Sequence, residues 1–353
     1  MSSKKTPLEM ALEKHRGQHL PWACYSMPHQ NEVQLVLQST DEWLVPDFCT
    51  TGFVAAPFDE AAQPSVFFRP DLQWVAHRFE LGDPSKPTSQ IKLSDQGRDD
   101  HAAQVRKALQ SIEAQDLSKV VVARSIDFAG AFDFWLLFKR MLHAYPAAMV
   151  VVWSHPKVGV WMCATPERLL RTESQNLETV ALAGTVTAPS LNEVVWGDKE
   201  IQEQQWVTRD IEQSLQKLGL LPSISPVATV QAGPLFHLNQ TISADRNGMD
   251  LKTIVNALHP SPAIGGTPKL KALELIRDLE PKGRGFYAGY LGWIDADESD
   301  EVQADLYVTL RCLSWQDDCV TLYVGGGIVA GSHPDKEWEE TQAKARVLAR
   351  LLE

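Results

Sequence analysis

The chain has 353 residues, 45 acidic against 33 basic side chains and a formal net charge of -12, with 44% hydrophobic and 22% charged residues. That composition is ordinary for a globular protein; an acidic chain without a basic stripe excludes a phosphate-tracking nucleic-acid binder, and no run reaches the roughly 18 apolar residues of a membrane span. A small-molecule enzyme or a protein-binding module is left.

Five cysteines (Cys24, Cys49, Cys163, Cys312, Cys319) form no CxxC pair, and the N-terminus lacks the apolar core of a signal peptide. A cytoplasmic chain with reduced thiols is therefore expected.

Residues 1–20 are polar and predict a short helix or a frayed end. Strands are predicted at 33–39 and 52–58, and the aromatic, β-branched stretch 65–81 predicts a strand pair. A turn-rich segment, 82–98, is the best candidate for an internal linker. Asp99 and Asp100 then cap a helix whose apolar face is Ala102, Val105, Leu109 and Ile112. The run from Lys119 to Arg124 predicts a buried strand, 132–142 a helix, and 147–155 with 158–164 two adjacent strands. Strong helices are predicted at 197–218 and 335–352, and strands at 286–294, 305–313 and 320–330. Strands in runs with helices between them predict an α+β fold with antiparallel sheets.

Several polar side chains stand where this pattern asks for apolar ones. In the 197–218 helix, Val207, Ile211 and Leu215 define the apolar face, and one turn earlier that face carries Glu203. A carboxylate there costs several kcal/mol unless compensated, although a flanking charge can also simply snorkel or pair. In the C-terminal helix the arc of Val347, Leu348, Leu351 and Leu352 gives way to Lys344, Thr341, Glu340 and Glu337. Acids in a first helical turn suit the macrodipole, which accounts for Glu337 but not for Lys344. Before this helix lies a glycine-rich strand end, Gly325 to Gly331, where backbone can approach a ligand. Carboxylates on two separate helices would suit magnesium, which takes few protein carboxylates and keeps waters. Lys119 at a strand entry is either a gatekeeper against aggregation or a base, and Glu167 either a helix-start acid or a catalytic one. No phosphate loop, nucleophile elbow or histidine metal motif is present, and among the histidines His259 sits in a rigid turn with prolines at 260 and 262.

Seven colinear segments, KVVVARS (119–125), ATPERLLR (164–171), LAGTV (182–186), LHPSPAIGGTP (258–268), GRGFYAGYLGWID (283–295), VTLRC (308–312) and GGGIVAGSHPDKEWEETQAKA (325–345), resemble the chorismate-utilising enzymes. This family includes the isochorismate, salicylate, anthranilate and aminodeoxychorismate synthases. The resemblance implies one α+β domain, two large antiparallel sheets packed together with helices outside. Residues 99–353 would form the chorismate-binding catalytic region and 1–98 the variable N-terminal part.

Position by position, the resemblance implies that Lys119 is the base activating water and Glu167 the acid protonating the departing ring hydroxyl. It implies Glu203 and Glu340 as Mg²⁺ ligands, and Gly184, Thr185, His259, Tyr287, Arg311, Gly325 and Lys344 as the substrate wall, with Tyr287 and Arg311 on the pyruvyl carboxylate. Ammonia-using relatives generally carry Gln where Lys119 stands, and aminodeoxychorismate synthases a Lys where Ala183 stands. Water is thus the expected nucleophile and no glutaminase subunit is expected. Isochorismate synthase, serving menaquinone or siderophore synthesis, is the leading expectation. Salicylate synthase, which also eliminates pyruvate, is second, and a non-catalytic chorismate-binding protein is remote. The water-using members further imply a monomer. Departures from the family pattern are Gly326 in place of the usual Ala, Tyr290 in place of Pro, and a longer acidic stretch at 295–304.

Overall fold

A computed structural model describes residues 5–85, 91–130, 132–232, 235–296, 302–316 and 318–352. The strand Lys119–Ala129 begins with five buried residues and pairs along its whole length with Cys319–Val329, from Lys119 opposite Val329 to Ala129 opposite Cys319. Around this pair grows the first antiparallel sheet, in the order Gly266–Thr267, Lys119–Ala129, Cys319–Val329, Cys312–Gln316, Gly159–Thr165, Met149–His155, Trp22–Ser26, Glu32–Leu37, Leu72–His77. The second sheet runs Ser223–Ile224, Leu235–Asp245, Asn176–Thr187, Arg168–Glu173, Val302–Val308, Tyr290–Ala296, Gly52–Ala56, Val66–Phe68, with Ala228–Ala232 also on Leu235–Asp245. The α+β architecture of two large antiparallel sheets is the one expected from the sequence.

Side-chain alternation decides how the layers stack. Met149, Val151 and Trp153 join a core that includes Phe53, Leu170 and Leu306 of the second sheet. Their neighbours Val150 and Val152 face the other way, onto Leu12, Phe138 and Leu348 from three helices. With both faces covered, this strand reads as one continuous apolar run. Aromatic contacts consolidate the inner layer: Phe286 lies edge-on to Trp153 with centroids 4.7 Å apart, and Trp161 stacks on Tyr323 at 5.3 Å.

Some expectations are corrected. The 65–81 stretch does contain two strands, but they do not pair: Val66–Phe68 joins Gly52–Ala56 in the second sheet, and Leu72–His77 joins Glu32–Leu37 in the first. The single strand expected at 305–313 is two strands, Val302–Val308 and Cys312–Gln316, in different sheets. The helix Arg98–Glu113 is capped by Gly97, at φ 82°, and Asp99 and Asp100 lie inside its first turn. The strand predicted from 286 starts at Tyr290. The acidic 295–304 stretch lies partly outside the described residues. No helix among those described is long and apolar enough to cross a membrane.

Candidate active site

The chain passes directly from the first sheet to the second between Gly159–Thr165 and Arg168–Glu173, and returns between Val302–Val308 and Cys312–Gln316. The two crossings lie side by side: the Val308 amide donates to the Glu167 carbonyl at 2.9 Å, and the Ala164 amide to the Arg311 carbonyl at 3.2 Å. Glu167 therefore stands on one crossing and Arg311 on the other. Arg311 holds a left-handed backbone, φ 48°, which a non-glycine residue keeps only where its surroundings impose it. Tyr287 joins them because the Ala288 amide bonds the Thr309 carbonyl at 2.8 Å.

Between these crossings and the helices Asp198–Lys217 and Pro334–Ala349 lies a cleft with a cavity volume of about 200 Å³. Gly184, at φ 71°, sits in a bulge of the Asn176–Thr187 strand, and a Cβ there would come within 3.1 Å of Glu200 at the start of the first of these helices. The bulge lets strand and helix close on the cleft from one side.

Charge in the cleft is paired by distance and helix spacing. Lys119, 1% exposed, donates to Glu203 Oε1 at 2.6 Å. Lys344 donates to Glu340 Oε1, one turn earlier on its own helix, at 2.7 Å, and to the Gly325 carbonyl at 3.1 Å. Glu203, Glu340 and Lys344 line the cleft with part of their side-chain surface exposed. Burial alone would lower the Lys344 pKa, but Glu340, then Glu203 and Glu337, raise it. Burial pushes Glu167 up to about 7, against the pull of Lys119 and then Lys344. Such a carboxyl holds its proton near neutrality, as a general acid must. Glu337 is 2% exposed; its Oε1 accepts from Ser332 Oγ at 2.7 Å, and its Oε2 has no hydrogen-bond partner among the described residues.

Of the residues picked from the sequence, Glu167, Gly184, Thr185, Glu203, Tyr287, Arg311, Gly325, Glu340 and Lys344 all line this cleft. Lys119 stands one layer behind the wall and reaches it through Glu203. His259 is corrected: it is packed away from the cleft, its ring edge-on to Tyr290 at 5.1 Å and to Phe58 at 6.4 Å. The rigid turn it begins instead presents Ala263 and Ile264 to the cleft.

The histidine that lines the wall is His237, on the strand Leu235–Asp245. Its Nδ1 lies 3.2 Å from both Thr185 Oγ1 and the Gly184 carbonyl, and its buried Nε2 has no partner among the described residues. Burial lowers its pKa to about 4, so the ring is neutral at pH 7. A neutral ring donating from Nδ1 to the carbonyl leaves Nε2 an acceptor. Sequence reading also missed Glu200 and Lys199, which precede Glu203 on its helix. A lysine in a first turn, against the dipole, was the available signal.

An acid-bearing, lysine-backed cleft between two antiparallel sheets has the make-up of an enzyme's small-molecule site. Residues 57–353 match the family model described as chorismate binding enzyme, and the chain belongs to that family. It is 27% identical over 320 residues to isochorismate synthase EntC of Escherichia coli (strain K12), covering 84% of this chain and 80% of that one. To isochorismate synthase MenF of the same strain it is 31% identical over 263 residues, 70% of this chain and 59% of that one. The solved structure of the menaquinone-specific isochorismate synthase MenF from Escherichia coli superposes with a TM-score of 0.80 at 24% identity, covering 95% of this chain and 89% of that one.

Proposed function

We propose that this protein is an isochorismate synthase acting as a cytoplasmic monomer. Water adds to one end of the ring diene of chorismate while the hydroxyl leaves from a distant ring carbon, so the overall change is an isomerisation. The observation that carries this reading is Glu167, a buried carboxyl with its pKa near 7, in one cleft with Arg311, Tyr287 and Lys344. Glu167 protonates the departing hydroxyl, and Lys119, in its uncharged form and released from Glu203, takes the proton from water. Arg311 and Lys344 supply positive charge for a dicarboxylate within a net-acidic protein. Ala183 lines the cleft where ammonia-using relatives of one class place a nucleophilic lysine. Water as nucleophile needs no glutaminase partner.

Magnesium is part of the proposal. Among the described residues no three His, Cys, Asp or Glu form a ready-made metal cage. The donor chemistry nevertheless fits: Glu203 and Glu340 offer hard carboxylate oxygens to the cleft from two helices, few enough to leave room for the waters magnesium keeps. Glu203 and Glu340 would hold the ion, which when bound supplies positive charge toward a substrate carboxylate.

Incubation with chorismate and Mg²⁺, followed by product separation, tests the reading. A chorismate–isochorismate mixture is expected. Salicylate with pyruvate would make the protein a salicylate synthase, and unchanged chorismate would leave a binding protein. Lys119→Ala is expected to abolish turnover with an unchanged circular dichroism spectrum. Near-normal activity in that variant removes the base assignment.

A further inference from the structure

The strand that begins with Lys119 has an incompletely paired edge. On that side its partner, Gly266–Thr267, is two residues long and meets only Val120 and Lys119, and the Gly265 carbonyl accepts from the Val121 amide at 2.7 Å. Beyond that point the Val121 carbonyl and the Ala123 amide have no strand to bond among the described residues. An unpaired buried backbone group costs about as much as a lost hydrogen bond, so these two need partners.

Two side chains supply them. Arg284 Nη2 donates to the Val121 carbonyl at 2.8 Å, and Glu280 Oε1 accepts from the Ala123 amide at 2.8 Å. Arg284 and Glu280 are joined by a two-pronged ion pair, 2.7 Å at each prong, and their side chains are 2% and 7% exposed. The remaining Arg284 nitrogen, Nη1, donates to the Ile264 carbonyl at 2.7 Å, and the guanidinium lies 4.2 Å over the Phe58 ring. A planar guanidinium fork can make these bonds together; a lysine ammonium cannot copy the geometry.

Two of the three backbone groups this pair holds belong to cleft residues. Val121 and Ile264 line it, and Tyr287, three residues after Arg284, lines it too. The Tyr287 hydroxyl stands 2.9 Å from where a Gly325 Cβ would lie, so its position against the far wall leaves little slack.

We propose that Arg284 and Glu280 are positioning residues: their ion pair stands in for a missing strand and sets three cleft walls in register for substrate binding. The inference deepens the isochorismate synthase reading and rests on it for its kinetic form. The pair touches neither Glu167 nor Lys119, and Lys119 keeps its own strand partners Thr267 and Val329, so the loss should fall on substrate binding and spare the chemical step.

The test compares Arg284→Lys, Glu280→Gln and the double variant with the parent. Displacing a binding wall should raise KM for chorismate by about ten- to a hundredfold while kcat stays within about threefold. The double variant should lose no more than the worse single one, because both substitutions break one device. Amide exchange should accelerate in 121–124 and 258–268 and stay unchanged in 176–187. A purely structural pair would lower the melting temperature but leave KM of the folded protein unchanged, and that result overturns the inference. Should the parent itself leave chorismate unchanged, the functional reading fails by itself. Amide exchange then decides: equal rates in 121–124 for parent and variants overturn the positioning role.

Discussion

Glu167 joins the fold and the proposed chemistry in one carboxyl, and its proton links them. Its pKa rises from 4.5 in the unfolded chain to about 7 in the folded one, chiefly through burial. For a raised carboxyl the contribution to stability is complete below pH 4.5 and is lost as the pH climbs through about 7, because only the folded state keeps the proton across that window. The swing amounts to as much as about 3 kcal/mol, at 1.36 kcal/mol per pKa unit. Glu167→Gln keeps the shape and removes the titration. The parent should therefore lose stability relative to this variant between about pH 5 and about pH 8, read as diverging urea midpoints. Parallel midpoints would show that the carboxyl is not held protonated. In turnover, the parent's kcat/KM should fall above pH 7, and the Gln variant, with no proton to give, should be inactive throughout.

At the scale of single elements, legibility followed periodicity. The helices Asp198–Lys217 and Pro334–Ala349 were readable because their apolar faces repeat every turn, and of the carboxylates interrupting those faces Glu203 and Glu340 face the cleft. The crossing at 309–311 was not readable: no Gly or Pro marks it, and its left-handed turn falls on Arg311, a residue type that does not signal one. His259 drew attention through its rigid turn, and His237 was hidden in a strand whose pattern is set by partners distant in sequence.

The triglycine strand end shows how local geometry gives a sharper result than composition. A Cβ at Gly327 would lie 3.1 Å from Lys119 Cε and 3.2 Å from Glu203 Oε1, whereas at Gly326 the nearest atom is Glu337 Oε2 at an ordinary 3.4 Å. Gly326→Ala, which restores the residue common in the family, should leave kcat within about twofold. Gly327→Ala should lower kcat at least about tenfold with little change in melting temperature, since the atoms that must move belong to the Lys119–Glu203 pair and not to the backbone. Equal kinetics for the two variants would refute the placement of Lys119 behind that wall.

Over the whole molecule, the boundary near residue 98 is a change in sequence character that does not divide the sheets. Trp22–Ser26, Glu32–Leu37 and Leu72–His77 complete one end of the first sheet, and Gly52–Ala56 with Val66–Phe68 complete one end of the second. The N-terminal part thus closes the sandwich across its open end: Tyr25 meets Phe53 with ring centroids 5.0 Å apart, and Phe68 meets Trp153 at 5.6 Å. Deleting residues 1–98 removes the buried aromatics Trp22, Tyr25, Phe53 and Phe68. At about 1.5–3 kcal/mol each, these alone are worth roughly 6–12 kcal/mol as an upper estimate, comparable with the whole stability of a typical domain. The deletion also leaves Met149–His155 and Tyr290–Ala296 as bare edges with apolar faces exposed, a template for aggregation. The fragment 99–353 should therefore show a flat near-ultraviolet circular dichroism spectrum, no cooperative urea transition and no turnover, even though it carries every proposed catalytic group. A fragment that melts cooperatively and converts chorismate would show instead that the catalytic region folds alone.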